Sequence, residues 1–539
     1  MAEEGIGNGH PSAEGGSDGQ GDRGNSGEMT PGFLQGGLPC FLAVASGVLL
    51  VFSFPRFGAG WVAWAALIPL LFALRDQNLK KSFRLGFVTG LIGHVGLLYW
   101  ISHVVVEYGY LPLYVGVGAM LLVVAYLSLY TGLFALGVQY LRGGGIPLVL
   151  SAPVLWTVLE YIKSHVLTGF PWENLGCSQH LWGNLIQFSD ITGVYGISFL
   201  IVLVNVLLYD LIGRGPRRIL KAAALVLVMG LVLAYGVYRS ADVAKSLATF
   251  PAAPVALIQG NVDQSVKWNP AFQSKTMDDY AALTLEAAPP GGGFVVWPET
   301  AVPFFFQDMD LHHRLIVSLA RQTGSWLLLG SPSYKKAEDG RTILYNSAYL
   351  VSPEGRMSAR YDKVHLVPYG EYVPLRRFFP FIGKLVQGVG DFGTGDGYQP
   401  LPMNEGRVGV LICYEGIFPG AARAYKNSGA DLLVNITNDA WFGRTSAPYQ
   451  HLSMTVFRAV ENRLYLIRAA NTGISAVIDP LGRVVSQTGL FEKTFLPGEV
   501  RFVRIGTWYG IWGDLFVYLC LVLLAGSLVL TVVKRRKGT

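Results

Sequence analysis

Eight separate apolar runs, seven before about residue 245 and one near the C-terminus, constrain this chain more than anything else in it. They lie at about 36–54, 58–74, 84–106, 111–140, 146–166, 194–213, 219–239 and 509–533, and each is long enough to cross about 30 Å of hydrocarbon. Backbone groups in lipid must be satisfied within the segment, so each run is expected to be a transmembrane helix. The composition agrees, since 51% of the 539 residues are hydrophobic and only 14% are charged. An ordinary soluble enzyme is excluded.

The loops set the expected orientation, because Lys and Arg beside a span are retained on the cytoplasmic side. Arg75, Lys80, Lys81 and Arg84 follow the second run; Arg214, Arg217, Arg218 and Lys221 follow the sixth; Lys534 to Lys537 close the chain. All three groups share one side if both termini are cytoplasmic. The link around Glu107, the 167–193 segment and the region 250–505 then fall outside. Lys163, near the outer end of the fifth run, is the exception, and Glu160 one turn earlier is its expected partner. The resulting division is a disordered cytoplasmic tail at 1–32, a seven-helix membrane domain at 33–245, an external domain at 250–505, an eighth span at 506–533 and a basic cytoplasmic tail at 534–539. The N-terminal tail is rich in Gly, Ser and acid and has little to bury.

The formal charge of +6 sits mostly beside apolar runs, so it reads as an orientation signal and gives no case for nucleic acid. The four cysteines, Cys40, Cys177, Cys413 and Cys520, form no CxxC pair, and the adjacent His312 and His313 point in different directions. Neither a disulfide framework nor a metal site is expected, and no cofactor is called for.

The external region changes character. Short β-branched runs ("PVALIQGNV", "GGFVVWPET", "GSWLLLGSP", "YNSAYLVSP", "RVGVLICYE", "ADLLVNITND", "GISAVIDP") alternate with helical patterns at "MDLHHRLIVSLARQ" and "HLSMTVFRAVENRLYLIRAA". Such alternation implies a layered α/β domain. Three of its motifs deliver a reactive side chain into a turn: Glu299 in "VVWPET", Lys363 in "YDKVHLVPYGEYVP" and Cys413 in "VLICYEGIF". A thiol, a carboxylate and an ammonium suffice for acyl transfer through nucleophile, base and oxyanion partner. Each has a bland alternative: a buried thiol, a strand-end carboxylate, a solvated lysine. The bland readings explain their joint occurrence poorly. A turn between strand and helix at Cys413 would place its thiol where backbone N–H groups lower its pKa. His365 leaves a Cys-His dyad open.

In that order and spacing, "WPET", "DKVHLVPYGEYVP" and "LICYEG" resemble the Glu-Lys-Cys signature of the nitrilase superfamily, whose domain is an α-β-β-α sandwich. With seven apolar runs before it and one after, nearly the whole chain resembles the bacterial apolipoprotein N-acyltransferase family. The resemblance implies roles. Cys413 would be the nucleophile, Glu299 the general base, and Lys363 the charge on the oxyanion beside the Tyr414 N–H. Glu371 matches a carboxylate that positions the lysine and the acceptor, Tyr414 and Glu415 match residues beside the nucleophile, and Trp268 matches a mobile-loop tryptophan near substrate. Asn435, Asn438 and Asp439 are assigned to turn structure. The implied reaction is ping-pong at a bacterial inner membrane, with the domain periplasmic: a phospholipid donates an acyl chain to Cys413, and the α-amine of a diacylglyceryl-cysteine lipoprotein accepts it. A monomer surrounded by membrane lipids is expected.

Two segments, "VPFFFQD" and "YVPLRRFFPFIGKL" with Arg376, Arg377 and Lys384, are candidates for the bilayer-facing approach. A membrane-tethered amidase would use the same three residues with water as acceptor. A non-catalytic lipid-binding or transport protein is the remaining alternative. Eight spans argue against the first and an intact residue set against the second.

Overall fold

The computed structural model describes residues 31–213, 218–372 and 391–537. The expected N-terminal tail lies almost wholly outside the described residues, as do Arg214, Arg217, Arg376, Arg377 and Lys384.

Every apolar run is helical at least in part. The first is α1 (Pro31–Phe52); the second holds a 3-10 turn at Gly60–Trp64 and α2 (Ile68–Ala73); the third is α3 (Leu79–Leu98) with α4 (Trp100–Glu107). Then come α5 (Leu113–Gly143), α6 (Leu148–Lys163), the one-turn helices α7 (Gly183–Ile186) and α8 (Ser189–Thr192), α9 (Val194–Ile212) and α10 (Arg218–Leu247). Among the described residues four helices, α5, α9, α10 and the C-terminal α16 (Leu515–Arg536), are long and apolar enough to cross a membrane; α3 and α4, bent by 50°, make a fifth if counted as one span. The second run falls short because Gly58 turns the chain at φ 68 and Pro69, in the first turn of α2, cannot donate a backbone bond. Small residues let α3 and α5 approach closely: a Cβ added at Gly86 would lie 2.5 Å from that of Ala135.

Lys163 and Glu160 do not pair as expected. Glu160 Oε1 accepts from the Leu175 N–H at 2.6 Å, and Lys163 Nζ donates to the Trp172 carbonyl at 3.3 Å. Both side chains anchor the 167–193 segment, which folds over the bundle. They line one cavity there with His94 and Glu173.

The second half is an α-β-β-α sandwich. Its strands are β1 (Ala253–Gln259), β2 (Phe294–Val296), β3 (Trp326–Lys336), β4 (Thr342–Val351), β5 (Met357–Asp362), β6 (Leu401–Pro402), β7 (Arg407–Ile412), β8 (Leu432–Thr437), β9 (Leu466–Ala470), β10 (Ala476–Ile478), β11 (Val484–Gln487) and β12 (Thr494–Val500). Among the described residues they form two six-stranded sheets, ordered β12-β1-β2-β3-β4-β5 and β11-β10-β9-β8-β7-β6. Helices α11 (Pro270–Ala287) and α12 (Leu311–Thr323) cover the first sheet; α13 (Pro419–Asn427) and α14 (Ala447–Asn462) cover the second; α15 (Trp508–Trp512) leads into α16. Strand alternation sorts the side chains. Along β1, Val255 and Leu257 face the other sheet, whereas Ala256 and Ile258 pack with Met277 of α11 and Ile316 of α12.

One expectation fails in detail. The helical pattern at 451–470 stops at Asn462, where Arg463 takes a left-handed φ of 50° and the chain turns into β9. Within each sheet β1, β2 and β3, and likewise β7, β8 and β9, run parallel, so the turns after β2, β7 and β8 emerge at carboxyl ends of parallel strands. Crevices at such ends are where open α/β sheets bind ligands.

The two halves are tied together by buried polar contacts. Arg463 Nη2 meets Asp190 at 2.9 Å, the Val194 N–H donates to Glu461 at 3.0 Å, and Trp172 Nε1 donates to Gln450 at 2.9 Å. Tyr108 Oη donates to the Ala440 carbonyl at 2.7 Å. Helix α14 therefore lies between a sheet and the bundle, buried along nearly its whole length.

Candidate active site

Three strand ends meet at the site. Past β2, "WPE" carries Glu299 into the interior, where Asn346 Nδ2 donates to Oε1 at 2.8 Å and the Asn438 N–H donates to Oε2 at 2.8 Å. Past β5, Lys363 is buried, with Nζ 3.8 Å from Glu299 Oε1 and 2.9 Å from Glu371 Oε2. Its backbone is gripped on both sides, its N–H donating to the Asn346 carbonyl and its carbonyl accepting from the Gly395 N–H, each at 2.8 Å. Gly395 can carry no side chain, because a Cβ would lie 2.0 Å from the Asp362 carbonyl oxygen. Past β7, Cys413 opens a 3-10 turn at φ 53, a left-handed conformation that costs an L-residue energy and recurs at functional sites.

Burial disfavours the Lys363 ammonium, but the carboxylates of Glu371 and then Glu299 outweigh it and hold the group well above the usual lysine range. Lys363 stays charged. The expected thiol acidity is reversed. Burial first, and then the Glu299 carboxylate, push Cys413 up; Lys363 and a hydrogen bond with Thr437 only partly offset them. The resting group is a neutral thiol.

Glu371 Oε2, beside the Lys363 ammonium, also accepts from the Val367 N–H at 2.8 Å. Glu415 acts as a brace. It is fully buried and accepts from Tyr361 Oη and the Val364 N–H at 2.8 Å, the His365 N–H at 3.0 Å and the Ile412 N–H at 2.7 Å. The end of β7, which carries Cys413, and the Lys363 turn are thereby fixed to each other. Burial pushes its carboxyl up to about 7 against the pull of those donors and of Lys363. Tyr414 Oη donates to the Gly169 carbonyl at 3.2 Å, so it joins the site to the membrane half. Trp268 is 37% exposed.

The assignment of Asn435, Asn438 and Asp439 to turns is too modest. Asn435 lies within β8, and its amide donates to the Leu411 and Cys413 carbonyls at 2.8 and 3.2 Å. Asn438 holds Glu299 through its N–H. Asp439 pairs with Arg468 at 2.6 Å beside His451, whose Nε2 lies 3.2 Å from the Cys413 carbonyl. His451 Nδ1 lies 3.1 Å from Asp439 Oδ1, and burial and then Arg468 push the ring down against the pull of that carboxylate. His365 is lowered to about 4 by burial and by Lys363, and its ring packs 3.8 Å from that of Phe418. That environment suits packing better than a dyad.

Two residues escaped the sequence reading. Asn346, mid-strand in "YNSAYLV", donates from one amide nitrogen to both Glu299 and Glu371 at 2.8 Å. Lys267, next to Trp268, is buried with Nζ 2.6 Å from Thr300 Oγ1. Polar residues at inward-facing strand positions were the available signal for the first. Of the "FFF" segment, Phe306 is a core residue stacked on His313 at 4.4 Å, and Phe304 packs at the edge of the same cluster, so packing accounts for both. Cys177 is a buried free thiol.

Comparison with known proteins decides the family. The carbon-nitrogen hydrolase family matches residues 254–509, and the apolipoprotein N-acyltransferase N-terminal domain matches residues 46–207. An apolipoprotein N-acyltransferase of Geobacter metallireducens is 48% identical over 505 residues, covering 92% of this chain and 95% of that protein. This chain belongs to the apolipoprotein N-acyltransferase family. A second apolipoprotein N-acyltransferase, from Methylococcus capsulatus, is 35% identical over 511 residues, covering 92% of this chain and 96% of its own. Among solved structures, a carbon-nitrogen hydrolase from Helicobacter pylori G27 aligns with 49% of this chain and 95% of its own, at 20% identity and a TM-score of 0.38. The apolipoprotein N-acyltransferase match thus spans both halves, bundle and sandwich.

Proposed function

We propose that this acyltransferase moves a fatty acyl chain from a membrane phospholipid, through a thioester on Cys413, to the α-amine of a lipoprotein's N-terminal diacylglyceryl-cysteine. The observation that carries this reading is the convergence of Glu299, Lys363 and Cys413 from three strand ends, in a chain whose family match covers 92% of its length.

Glu299 takes the thiol proton as sulfur adds to the donor ester carbonyl, so a thiol held in its neutral form becomes nucleophilic only when substrate is in place. The charged Lys363, with the Tyr414 N–H, stabilises the oxyanion. Collapse breaks the ester C–O bond, and Glu299 returns the proton to the leaving alkoxide, releasing a lysophospholipid. The acceptor enters as the free amine and attacks the thioester; Glu299 accepts a proton from nitrogen and gives it to the departing sulfur. An amide and the free thiol result. Glu371 keeps Lys363 charged and in place, and Trp268 borders the entrance.

Both substrates are membrane-borne, and we assign eight spans, both termini on the cytoplasmic side and the 250–505 domain on the periplasmic side of the inner membrane. The domain limits are those of the sequence reading, and the working unit is a monomer. Support comes from the ends of the bundle. Near one end Lys221 meets Asp210 at 2.6 Å, Arg75 Nε donates to Tyr209 Oη at 2.8 Å, and Arg535 sits 4.3 Å over the Tyr140 ring. Contacts with the sandwich are made at Tyr108, in the link from α4 to the opposite end of α5, and at Val194, the opposite end of α9.

The test is incubation with phospholipid and no acceptor, followed by mass spectrometry of the Cys413 peptide. A hydroxylamine-sensitive acyl adduct is expected, and Cys413→Ala should abolish transfer without loss of fold. No adduct from a preparation active in full turnover, or transfer by the alanine variant, overturns the assignment.

A further inference from the structure

We propose that Lys267 is a positioning residue for this reaction, a second cation docked by the Trp268-bearing segment against the turn that carries Glu299. The proposal rests on the thioester reading above.

Lysine is seldom fully buried without a carboxylate partner. Lys267 is 3% exposed, and no carboxylate lies within 4 Å of it among the described residues. Its ammonium is held instead by neutral acceptors on the turn itself, the Glu299 carbonyl at 3.2 Å and Thr300 Oγ1 at 2.6 Å. Thr300 has a left-handed φ of 45°, so the cation fastens a strained residue directly after the base.

The segment is anchored at its other end as well. Asn471 accepts from the Asn261 N–H at its carbonyl and from the Val262 N–H at Oδ1, each at 2.9 Å. Midway, Gln264 Oε1 accepts from Asn438 Nδ2 at 2.7 Å. Asn438 is the residue whose N–H holds Glu299 Oε2, so the segment touches both the turn that carries Glu299 and one of the two groups that hold its carboxylate.

A charge left unneutralised by its contacts acts on what lies beyond them. For Lys267 these are the Glu299 carboxylate and the Cys413 thiol, between which the proton moves as the thioester forms. A positive field there favours the developing thiolate, while Lys363 is kept for the oxyanion. Burial pulls Lys267 down to about 8, with Glu299 and Cys413 opposing. Its charge is therefore present below about pH 8 and lost as pH rises through that value. Of the neighbouring groups, Cys413 is pushed well up and Lys363 is held higher still. Glu415 changes near 7, on the far side of Cys413, among Tyr361, Val364, His365 and Ile412. Asp263, on the same segment, is engaged by Ser265.

The experiment is single-turnover formation of the Cys413 adduct from phospholipid in detergent, from pH 6 to pH 10, for the full chain and for Lys267→Met and Lys267→Arg. Expected for the unaltered protein is a rate that falls above about pH 8; Lys267→Arg, whose charge does not titrate, holds its rate through about pH 9. Lys267→Met should be about 10- to 100-fold slower at pH 7 and lack the alkaline fall. A Lys267→Met rate within about threefold of the unaltered protein overturns the proposal. So does an alkaline fall that persists unchanged in Lys267→Arg, which decides the matter even if the methionine variant fails to fold. An unaltered protein that forms no adduct overturns the thioester reading and this proposal with it; one that forms it while Lys267→Met keeps pace overturns this proposal alone.

Discussion

Asn346→Asp preserves the shape of a side chain and inverts what it offers its neighbours. The asparagine amide gives one hydrogen bond to Glu299 Oε1 and one to Glu371 Oε1, both at 2.8 Å, inside a site where all three residues are at most 9% exposed. An ionised aspartate would face two carboxylates at about 3 Å, a repulsion of about 5 kcal/mol for each pair at an effective dielectric of 20. It will take up a proton instead. A carboxylic acid has a single proton to donate, so one of the two glutamates loses a charge-assisted bond worth about 1.5–3 kcal/mol. If Glu299 is the loser, the base is held only by the Asn438 N–H; if Glu371, the brace on Lys363 loosens. Either loss lowers the rate of Cys413 acylation about 10- to 150-fold, since 1.4 kcal/mol is a factor of ten. The rate should fall further as pH rises and strips the shared proton. Single-turnover acylation from phospholipid, read as acyl-Cys413 by mass spectrometry, measures this directly. A variant that keeps within about threefold of the unaltered rate across the neutral range refutes the view that Asn346 holds the two carboxylates.

Two further predictions concern the nucleophile and the join between the halves. Because burial and Glu299 push the Cys413 thiol up, iodoacetamide should label the Cys413 peptide slowly at pH 7 and progressively faster in the alkaline range; a rate already at its plateau at pH 7 would contradict a neutral resting thiol. Asp190→Asn leaves the buried Arg463 guanidinium without its charged partner and weakens the contacts from Arg239 and Tyr235 at 2.8 and 2.6 Å, which should cost about 3–5 kcal/mol. A clear drop in the apparent melting midpoint in detergent is the expected outcome, and an unchanged midpoint counts against a tight join.

The legible parts of this chain were those written in local pattern. Apolar length announced the bundle, alternating β-branched runs announced β1, β2, β3, β4, β7, β8 and β10, and the three motifs announced that Glu299, Lys363 and Cys413 lie just past strand ends. Less visible was whatever depends on distant packing. Strand β9 reads as a continuation of α14 because "YLIRAA" suits either state, and only the pairing of β9 between β8 and β10 decides it. The direction of the Cys413 shift was misjudged for the same reason: a turn position suggests backbone donors, whereas the outcome depends on how far the fold removes the thiol from water and how near it brings Glu299. Asn346 and Lys267 carry no motif, and their importance appears only when the turns after β2 and β5 are seen side by side.

The burial of α14 bears on how this protein can be handled. In a free-standing sandwich, a helix covering one sheet would keep a solvent face. Here Gln450 serves Trp172, Glu461 serves the start of α9, and Arg463, just past the helix, serves Asp190. Cutting the chain near residue 250 would therefore expose apolar surface and strip a buried guanidinium of its counter-charge at once. The sandwich is not a detachable unit; its inner wall is made by the helical bundle, and purification strategies have to begin from the whole chain in a lipid-like solvent.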